Sequence, residues 1–292
     1  MIGFPPSSGP ENTSLPCSVV AIPIAVLNYR QIPDWVSIDD NESHDLCERN
    51  PMEKKLTNQT ALITGAGSGL GTAIARALAS EGARCALAGR RPEPLEHVRL
   101  EIGDWARAIP CDVRDEAQIE NLVAQTVAEF GGVDILVNNA GVFHEVPLTE
   151  TTTTLWDETI AVNLRGAFLL CRAAWPHMQR RGGGQIVNVS SVSGVQGYAD
   201  EAAYCASKFG LNGLTAALAL EGKPRNIRVF AVCPGAVDTP IWGEAAAPEV
   251  TRRMTKAEQI AELVRWLVTA PRNLDFGPIV VRNFRDPWEE GA

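Results

Sequence analysis

Tyr204 and Lys208 stand four residues apart in the run Tyr204-Cys205-Ala206-Ser207-Lys208, and Ser191 lies thirteen residues upstream. On a helix, positions i and i+4 share one face, so a phenol and an ammonium at this spacing can point into one pocket. A cation beside a phenol favours phenolate and pulls its pKa below the ordinary value of about 10. That would fit Tyr204 to give and take a proton near neutral pH. A Tyr–Lys pair alone is common on exposed helices. Joined to Ser191 and to a glycine-rich turn early in the chain, it points to hydride chemistry on a carbonyl or an alcohol.

The turn is Thr64-Gly65-Ala66-Gly67-Ser68-Gly69-Leu70-Gly71. It follows an apolar run and opens an amphipathic one, where free N–H groups and the positive end of a helix dipole can hold a pyrophosphate. Its spacing, T-G-x-x-x-G-x-G, departs from the strict G-x-G-x-x-G fingerprint, and by itself it is equally a tight strand-to-helix turn. The next strand ends Leu87-Ala88-Gly89-Arg90-Arg91. An NAD-binding fold offers an acid to the adenosine ribose there; this chain offers two guanidinium groups suited to a 2′-phosphate. NADP(H) is therefore favoured over NAD(H), against the alternative that both arginines solvate a loop. Asp112, in Cys111-Asp112-Val113, either meets the adenine ring, or caps the following helix or forms a turn.

These residues need a scaffold, and from Thr60 onward short apolar runs alternate with amphipathic segments, the mark of βαβ units and a parallel sheet. Strands are predicted at Ala61-Thr64, Arg84-Ala88, Ala106-Cys111, Ile135-Asn138, Gln185-Ser190, Ile227-Cys233 and Pro278-Val281. Helices are predicted at Leu70-Ser80, Glu116-Phe130, Leu155-Met178, Ala202-Leu220 and Lys256-Val268. The expected fold is α/β, a doubly wound parallel sheet of the Rossmann type with helices on both faces, forming one domain over residues 55–292. Its ligand belongs at the carboxyl ends of the strands, where the strand order reverses.

Residues 1–54 show no such periodicity and are expected to be a disordered extension. Met52, directly before Glu53-Lys54-Lys55, offers a second translation start. The apolar stretch Cys17 to Leu27 is broken by Pro23, too short for a bilayer and without the basic residues of a signal peptide. A net charge of -9 argues against a nucleic-acid partner. Seven scattered cysteines without a C-x-x-C pair read as reduced thiols of a cytoplasmic protein. The four histidines show no metal-ligand spacing, so no metal and no membrane partner are expected.

Asn138-Asn139-Ala140-Gly141 closes the fourth strand, and Pro234-Gly235-Ala236-Val237-Asp238-Thr239 follows the sixth. With the glycine turn, Asp112 and the Ser191/Tyr204/Lys208 set, these motifs, in this order from about Lys55 to Val281, resemble the short-chain dehydrogenase/reductase family. The resemblance implies a nicotinamide cofactor held by Gly65, Gly67, Ser68, Gly69, Leu70, Arg90, Arg91, Asp112, Val113, Asn139, Ala140, Gly141, Pro234, Gly235, Val237 and Thr239. It also implies a catalytic tetrad of Asn163, Ser191, Tyr204 and Lys208. Ser191 would polarise the substrate carbonyl, and it is chosen over Ser190 by its spacing to Tyr204. Tyr204 would pass the proton, and Lys208 would lower its pKa and bind the nicotinamide ribose. Asn163 would hold a relay water, unless its amide is satisfied by a neighbouring strand or a local helix distortion. Substrate contacts are expected from Phe143, His144, Gln196, Tyr198 and Trp242, although His144 could equally face solvent. The segment Ile241 to Lys256 is short for a lid, and a tail with Trp288 runs past the last strand. The helices over Leu155-Met178 and Ala202-Leu220 are the family's usual dimer surface, implying a homodimer or homotetramer. The reaction implied is ketone or aldehyde to alcohol, with a 3-oxoacyl thioester reductase, or a silent cofactor sensor or scaffold, as rivals.

Overall fold

A computed structural model describes residues 54–243 and 246–289. The expectations for residues 1–53, including a second start at Met52, and for the last three residues of the tail fall outside the described residues. Seven strands build one sheet: Thr60–Thr64 (β1), Arg84–Gly89 (β2), Ala106–Pro110 (β3), Ile135–Asn138 (β4), Gly184–Val189 (β5), Ile227–Pro234 (β6) and Ile279–Val281 (β9). Their order is β3-β2-β1-β4-β5-β6-β9, and every pairing is parallel. Strands covered on both faces should read as continuous apolar runs rather than alternations. Thr60–Thr64 is buried at all five positions, and Gly184–Val189 at all six. The doubly wound sheet and the predicted strand positions hold to within a residue or two.

Gly69–Ser80 (α1) and Ala257–Thr269 (α8) cover one face, where Ile74, Leu78, Ile260, Val264 and Leu267 pack on Ile63, Val187 and Phe230. Glu116–Phe130 (α3) and Gly166–Arg180 (α5) cover the other, where Ile119, Leu122, Leu169 and Met178 meet Leu62, Leu136 and Ile186. Ala202–Gly222 (α6) brings its buried residues Tyr204, Ser207, Lys208 and Leu211 to the catalytic end. Asp115 caps α3 by accepting from the Gln118 N–H at 3.2 Å. The alternative that Asp112 caps this helix is therefore corrected.

Two features depart from the sequence-based expectation. Pro92–Ile102 (α2) is a helix between β2 and β3 that the prolines at 92 and 94 obscured. Both fall in its first turn, where the missing N–H groups have no intrahelical partner to lose. The predicted helix Leu155-Met178 is three pieces: Thr153–Ile160 (α4), a π-helical turn Ala161–Arg165, and α5. Beyond β6, Val237–Asp238 (β7) and Thr255–Lys256 (β8) form a two-stranded ribbon framing Pro248–Thr251 (α7). Among the described residues no helix is long and apolar enough to cross a membrane.

The sheet reverses direction between β1 and β4, and a tight clasp holds that point. The Thr64 hydroxyl oxygen accepts from the backbone N–H groups of Asn139 and Ala140, each at 3.0 Å, and Asn139 Nδ2 donates to Thr64 O at 2.9 Å. Gly71 in α1 lies directly over this clasp. A Cβ there would collide with the Gly65 carbonyl oxygen and come within 2.6 Å of Asn139 Nδ2. Gly71→Ala is expected to destabilise the fold by at least about 1–3 kcal/mol, the cost of overpacking, read as a lower midpoint of thermal unfolding. An unchanged midpoint would show that the clasp has slack.

Candidate active site

The carboxyl ends of the strands open into a cleft of about 840 Å³, continuous in its lining with a smaller cavity of about 170 Å³. Gly65, Gly67, Ser68, Asp112, Val113, Ala140 and Gly141 line the smaller cavity beside Arg90 and Arg91. Gly65 and Gly69 take φ of +65° and +51°, the left-handed region that favours glycine. Ser68 occupies the N-cap of α1, yet its hydroxyl makes no capping bond. The first-turn N–H groups of α1, which have no intrahelical partner, therefore open towards the cavity. Arg90 and Arg91 are exposed on the same rim, and β2 ends without an acidic side chain. This donor set, free backbone N–H groups and two guanidinium groups around a cavity, fits the phosphates of a dinucleotide. Asp112 lines the same cavity while paired with Arg114 at 2.6 Å, and that hydrogen bond holds its carboxyl below the usual carboxylate range.

Ser191, Tyr204 and Lys208 line the larger cleft together, with Asn139, Pro234, Gly235, Val237 and Thr239 around them and Gly69 and Leu70 towards the turn. Asn139 lines the cleft but spends its amide on Thr64. Ser190 and Ser191 are separated by their bonds. Ser190 Oγ donates to Lys208 O at 3.3 Å, whereas Ser191 Oγ accepts from the Ser193 N–H at 3.1 Å and remains beside the Tyr204 phenol.

Burial governs both titrating groups. The Tyr204 phenol, 8% exposed, is pushed well above its ordinary pKa by desolvation, with the Ser191 hydroxyl offsetting part of the rise. Lys208, 4% exposed, is lowered by desolvation from 10.5 to about 8. Its Nζ donates to Val189 O at 2.9 Å and sits 5.5 Å from the Tyr204 ring centroid. The expected lowering of the phenol's pKa by Lys208 is therefore not the net effect in this cleft: desolvation is the largest cause and the shift is upward, with the ammonium facing the ring.

Asn163, 2% exposed, does not line the cleft. Its Oδ1 accepts from Val142 N–H at 2.8 Å, and its Nδ2 donates to Val142 O at 2.9 Å and to Ser207 Oγ at 3.1 Å. Of the local alternatives weighed from the sequence, the helix distortion is present, whereas the amide is satisfied by the loop residue Val142 and by Ser207 of α6 rather than by a strand.

At the substrate end, Phe143, Tyr198 and Trp242 line the cleft as expected. His144 does not, and Gln196 stands behind Tyr198, donating to its hydroxyl at 2.7 Å. Both are corrections to the expected substrate set. Glu145, Ser193, Glu201, Arg282, Asp286 and Trp288 line it without having been anticipated. Glu201 lies three residues before Tyr204, so the helical face was a usable signal; the others sit on loops without periodicity. Burial raises the Glu201 carboxyl, with Glu145 adding repulsion and the Ser193 hydroxyl, donating at 2.7 Å, opposing it.

Residues 59–250 match the short chain dehydrogenase family. The chain belongs to that family. An uncharacterized oxidoreductase of Staphylococcus aureus is 34% identical over 228 residues, spanning 78% of this chain and 98% of the relative. The D-threitol dehydrogenase of Mycolicibacterium smegmatis is 41% identical over 194 residues, spanning 65% of this chain and 75% of that enzyme. Among solved structures, the 3-ketoacyl-(acyl-carrier-protein) reductase from Brucella melitensis, complexed with NADH, superposes with a TM-score of 0.74 at 33% identity, covering 79% of this chain and 99% of that one. This short-chain dehydrogenase is accordingly an oxidoreductase acting on alcohol or carbonyl groups.

The buried lysine of this short-chain dehydrogenase gives a measurable signature. Its folded pKa, about 8, lies below the unfolded value of 10.5, so between those pH values the unfolded chain binds more protons. The contribution of Lys208 to stability therefore rises with pH through that window and is flat below it. NMR titration of the lysine Nζ groups in the cofactor-free protein is expected to show one midpoint near 8 that is missing in Lys208→Met. A spectrum in which every lysine titrates above 10 would remove the burial argument.

Proposed function

We propose that this short-chain dehydrogenase uses NADP(H) to interconvert a ketone or aldehyde with an alcohol, with Ser191, Tyr204 and Lys208 as its catalytic residues and Asn163 in support. The observation that carries the proposal is the convergence of Ser191, Tyr204 and Lys208 on one cleft whose far end is rimmed by Arg90 and Arg91. When bound, the nicotinamide supplies or accepts the hydride. Gly65, Gly67, Ser68, Gly69 and Leu70 would hold its phosphates, and Asn139 to Gly141, Asp112, Val113, Pro234, Gly235, Val237 and Thr239 would line the rest of its site. The NADH of the Brucella reductase is a property of that protein; in this chain the paired guanidinium groups and the missing acid favour a 2′-phosphate.

In the reductive direction Ser191 donates a hydrogen bond to the substrate oxygen, and Tyr204 gives that oxygen a proton. A phenol held protonated by burial suits the role of acid. The reverse reaction needs phenolate and gains with rising pH. Lys208, whose Nζ donates to Val189 O, would bind the ribose hydroxyls and replenish the proton. Asn163 acts through position: it fixes Val142 and Ser207, and it sits in the π turn where the Gly166 N–H bonds Ala161 O. Single π turns of this kind recur at functional sites, and Asn163 would hold the relay water there.

The five described cysteines are free thiols, which supports a reducing compartment such as the cytoplasm. Trp156, Phe168 and Phe209 expose 40–47% of their surface on α4, α5 and α6, which supports a homodimer through those helices. Residues 55–292 are proposed as the catalytic domain.

Tyr204→Phe should cut turnover by about 10²–10⁴-fold, the usual worth of a positioned proton donor, while calorimetry gives nearly the same NADPH affinity; unchanged turnover would remove Tyr204 from the mechanism. Arg90→Ala with Arg91→Ala should weaken NADPH by at least about tenfold, since hydrogen bonds to charged groups contribute about 1.5–3 kcal/mol each. NADH should be little affected, and equal losses for the two cofactors would refute the 2′-phosphate assignment.

A further inference from the structure

The segment beyond β9 turns back over the cleft. Asn283 ties it down: its Nδ2 donates to Ala236 O and to Thr255 Oγ1, each at 3.1 Å, and its Oδ1 accepts from the Ala236 N–H at 3.0 Å. A second anchor follows, where Arg253 Nη1 donates to Glu289 O at 2.8 Å and to Pro287 O at 3.4 Å. Between these anchors Trp288 lies against Trp242 with ring centroids 5.4 Å apart. Trp242 meets Phe143 at 5.1 Å, and Phe143 meets Tyr204 at 4.9 Å, all three contacts being edge-to-face. A continuous aromatic wall thus runs from the tail to the catalytic phenol. The segment between β7 and β8 lines the cleft through Pro240, Ile241 and Trp242 on one short turn.

We propose that the tail, through Trp288, is the specificity-determining element of this enzyme, and that the chamber it completes takes a compact ketone or secondary alcohol with an apolar body and no anionic group. This rests on the carbonyl/alcohol reading above and narrows it. Trp288 is 48% exposed, leaving a face available to a bound molecule at the cleft it lines. Aromatic faces and edges favour a flat or ring-shaped apolar body packed beside the reacting carbon. Charge points the same way. Glu145, Glu201 and Asp286 line this end, and the Arg282 guanidinium on the same rim donates to Gln196 Oε1 at 3.0 Å. An acyl thioester would bring a phosphate-bearing pantetheine arm past three carboxylates, and like charges in a confined cleft repel.

The test is steady-state reduction of cyclohexanone, acetophenone and acetoacetyl-CoA with NADPH by the full-length wild type, Trp288→Ala and Trp288→Phe, with NADPH affinity measured by calorimetry. The wild type is expected to favour the two compact ketones over acetoacetyl-CoA. Trp288→Ala should lose about tenfold in kcat/KM on them, chiefly through KM, with NADPH affinity unchanged, and Trp288→Phe should recover most of the loss. A Trp288→Ala enzyme with an unaltered preference overturns the proposal. So does a wild type that reduces acetoacetyl-CoA better than both ketones, a result that leaves the carbonyl reductase reading standing. Failure of folded wild type to bind NADPH or NADH would overturn that reading and this inference together.

Discussion

The arrangement of this protein depends on the point where β1 and β4 lie side by side and the strand order reverses. Successive parallel strands are laid down to one side as far as β3 and then to the other from β4 onward. The two neighbouring loops must therefore diverge, and their separation makes a crevice at the carboxyl ends of the strands. Thr64 closes the bottom of that crevice. Its hydroxyl oxygen accepts two backbone N–H groups from Asn139 and Ala140, so the glycine turn and the Asn-Asn-Ala-Gly run are held as one unit. Close approach is possible because Gly65 and Gly71 have no side chains to intervene. The uncapped start of α1 then faces the crevice as a direct consequence of chain direction.

Burial is the second constraint, and it acts on both groups proposed for proton transfer. The phenol of Tyr204 and the ammonium of Lys208 share one face of α6, as their four-residue spacing requires, and both are almost wholly removed from water. Loss of water disfavours phenolate and ammonium alike. The two pKa values are pushed apart, Tyr204 upward from 10 and Lys208 down from 10.5 to about 8, so burial favours the neutral form of both groups. The sequence motif specifies which groups meet, whereas the depth of the cleft decides how they titrate.

That difference marks how much was legible beforehand. The strands of the sheet were read from apolar runs because a strand buried on both faces leaves a local signature. The glycines of the turn, Arg90, Arg91, Ser191, Tyr204 and Lys208 were read from their spacing and from their positions at the ends of single elements. Helix α2 was missed because Pro92 and Pro94 look like loop residues until it is clear that they occupy a first turn. The π turn at Asn163 entered only as an unplaced helix distortion, because one additional residue in a helix alters no periodicity strongly enough to see. The side-chain partners of Asn163, Val142 and Ser207, lie 21 and 44 residues away in sequence, and no local pattern predicts such pairs. His144 and Gln196 were misplaced for a related reason. Their neighbours Phe143 and Tyr198 do face the cleft, but an irregular loop gives no period from which to infer the direction of the next side chain.

The cleft is also polarised along its length. Arg90 and Arg91 rim the end beside the glycine turn, whereas Glu145, Glu201 and Asp286 line the far end, with Arg282 and Lys208 as cations in the same cleft. Low-dielectric walls concentrate such a field within a cleft. A ligand carrying its phosphates at one end and an uncharged ring at the other is favoured in one orientation, and the reversed pose sets phosphate against carboxylate. The orientation that brings an uncharged ring to Tyr204 is therefore favoured by charges that lie far from the reacting atoms. The glycine turn contributes close approach without side chains, and the arginines and carboxylates contribute direction.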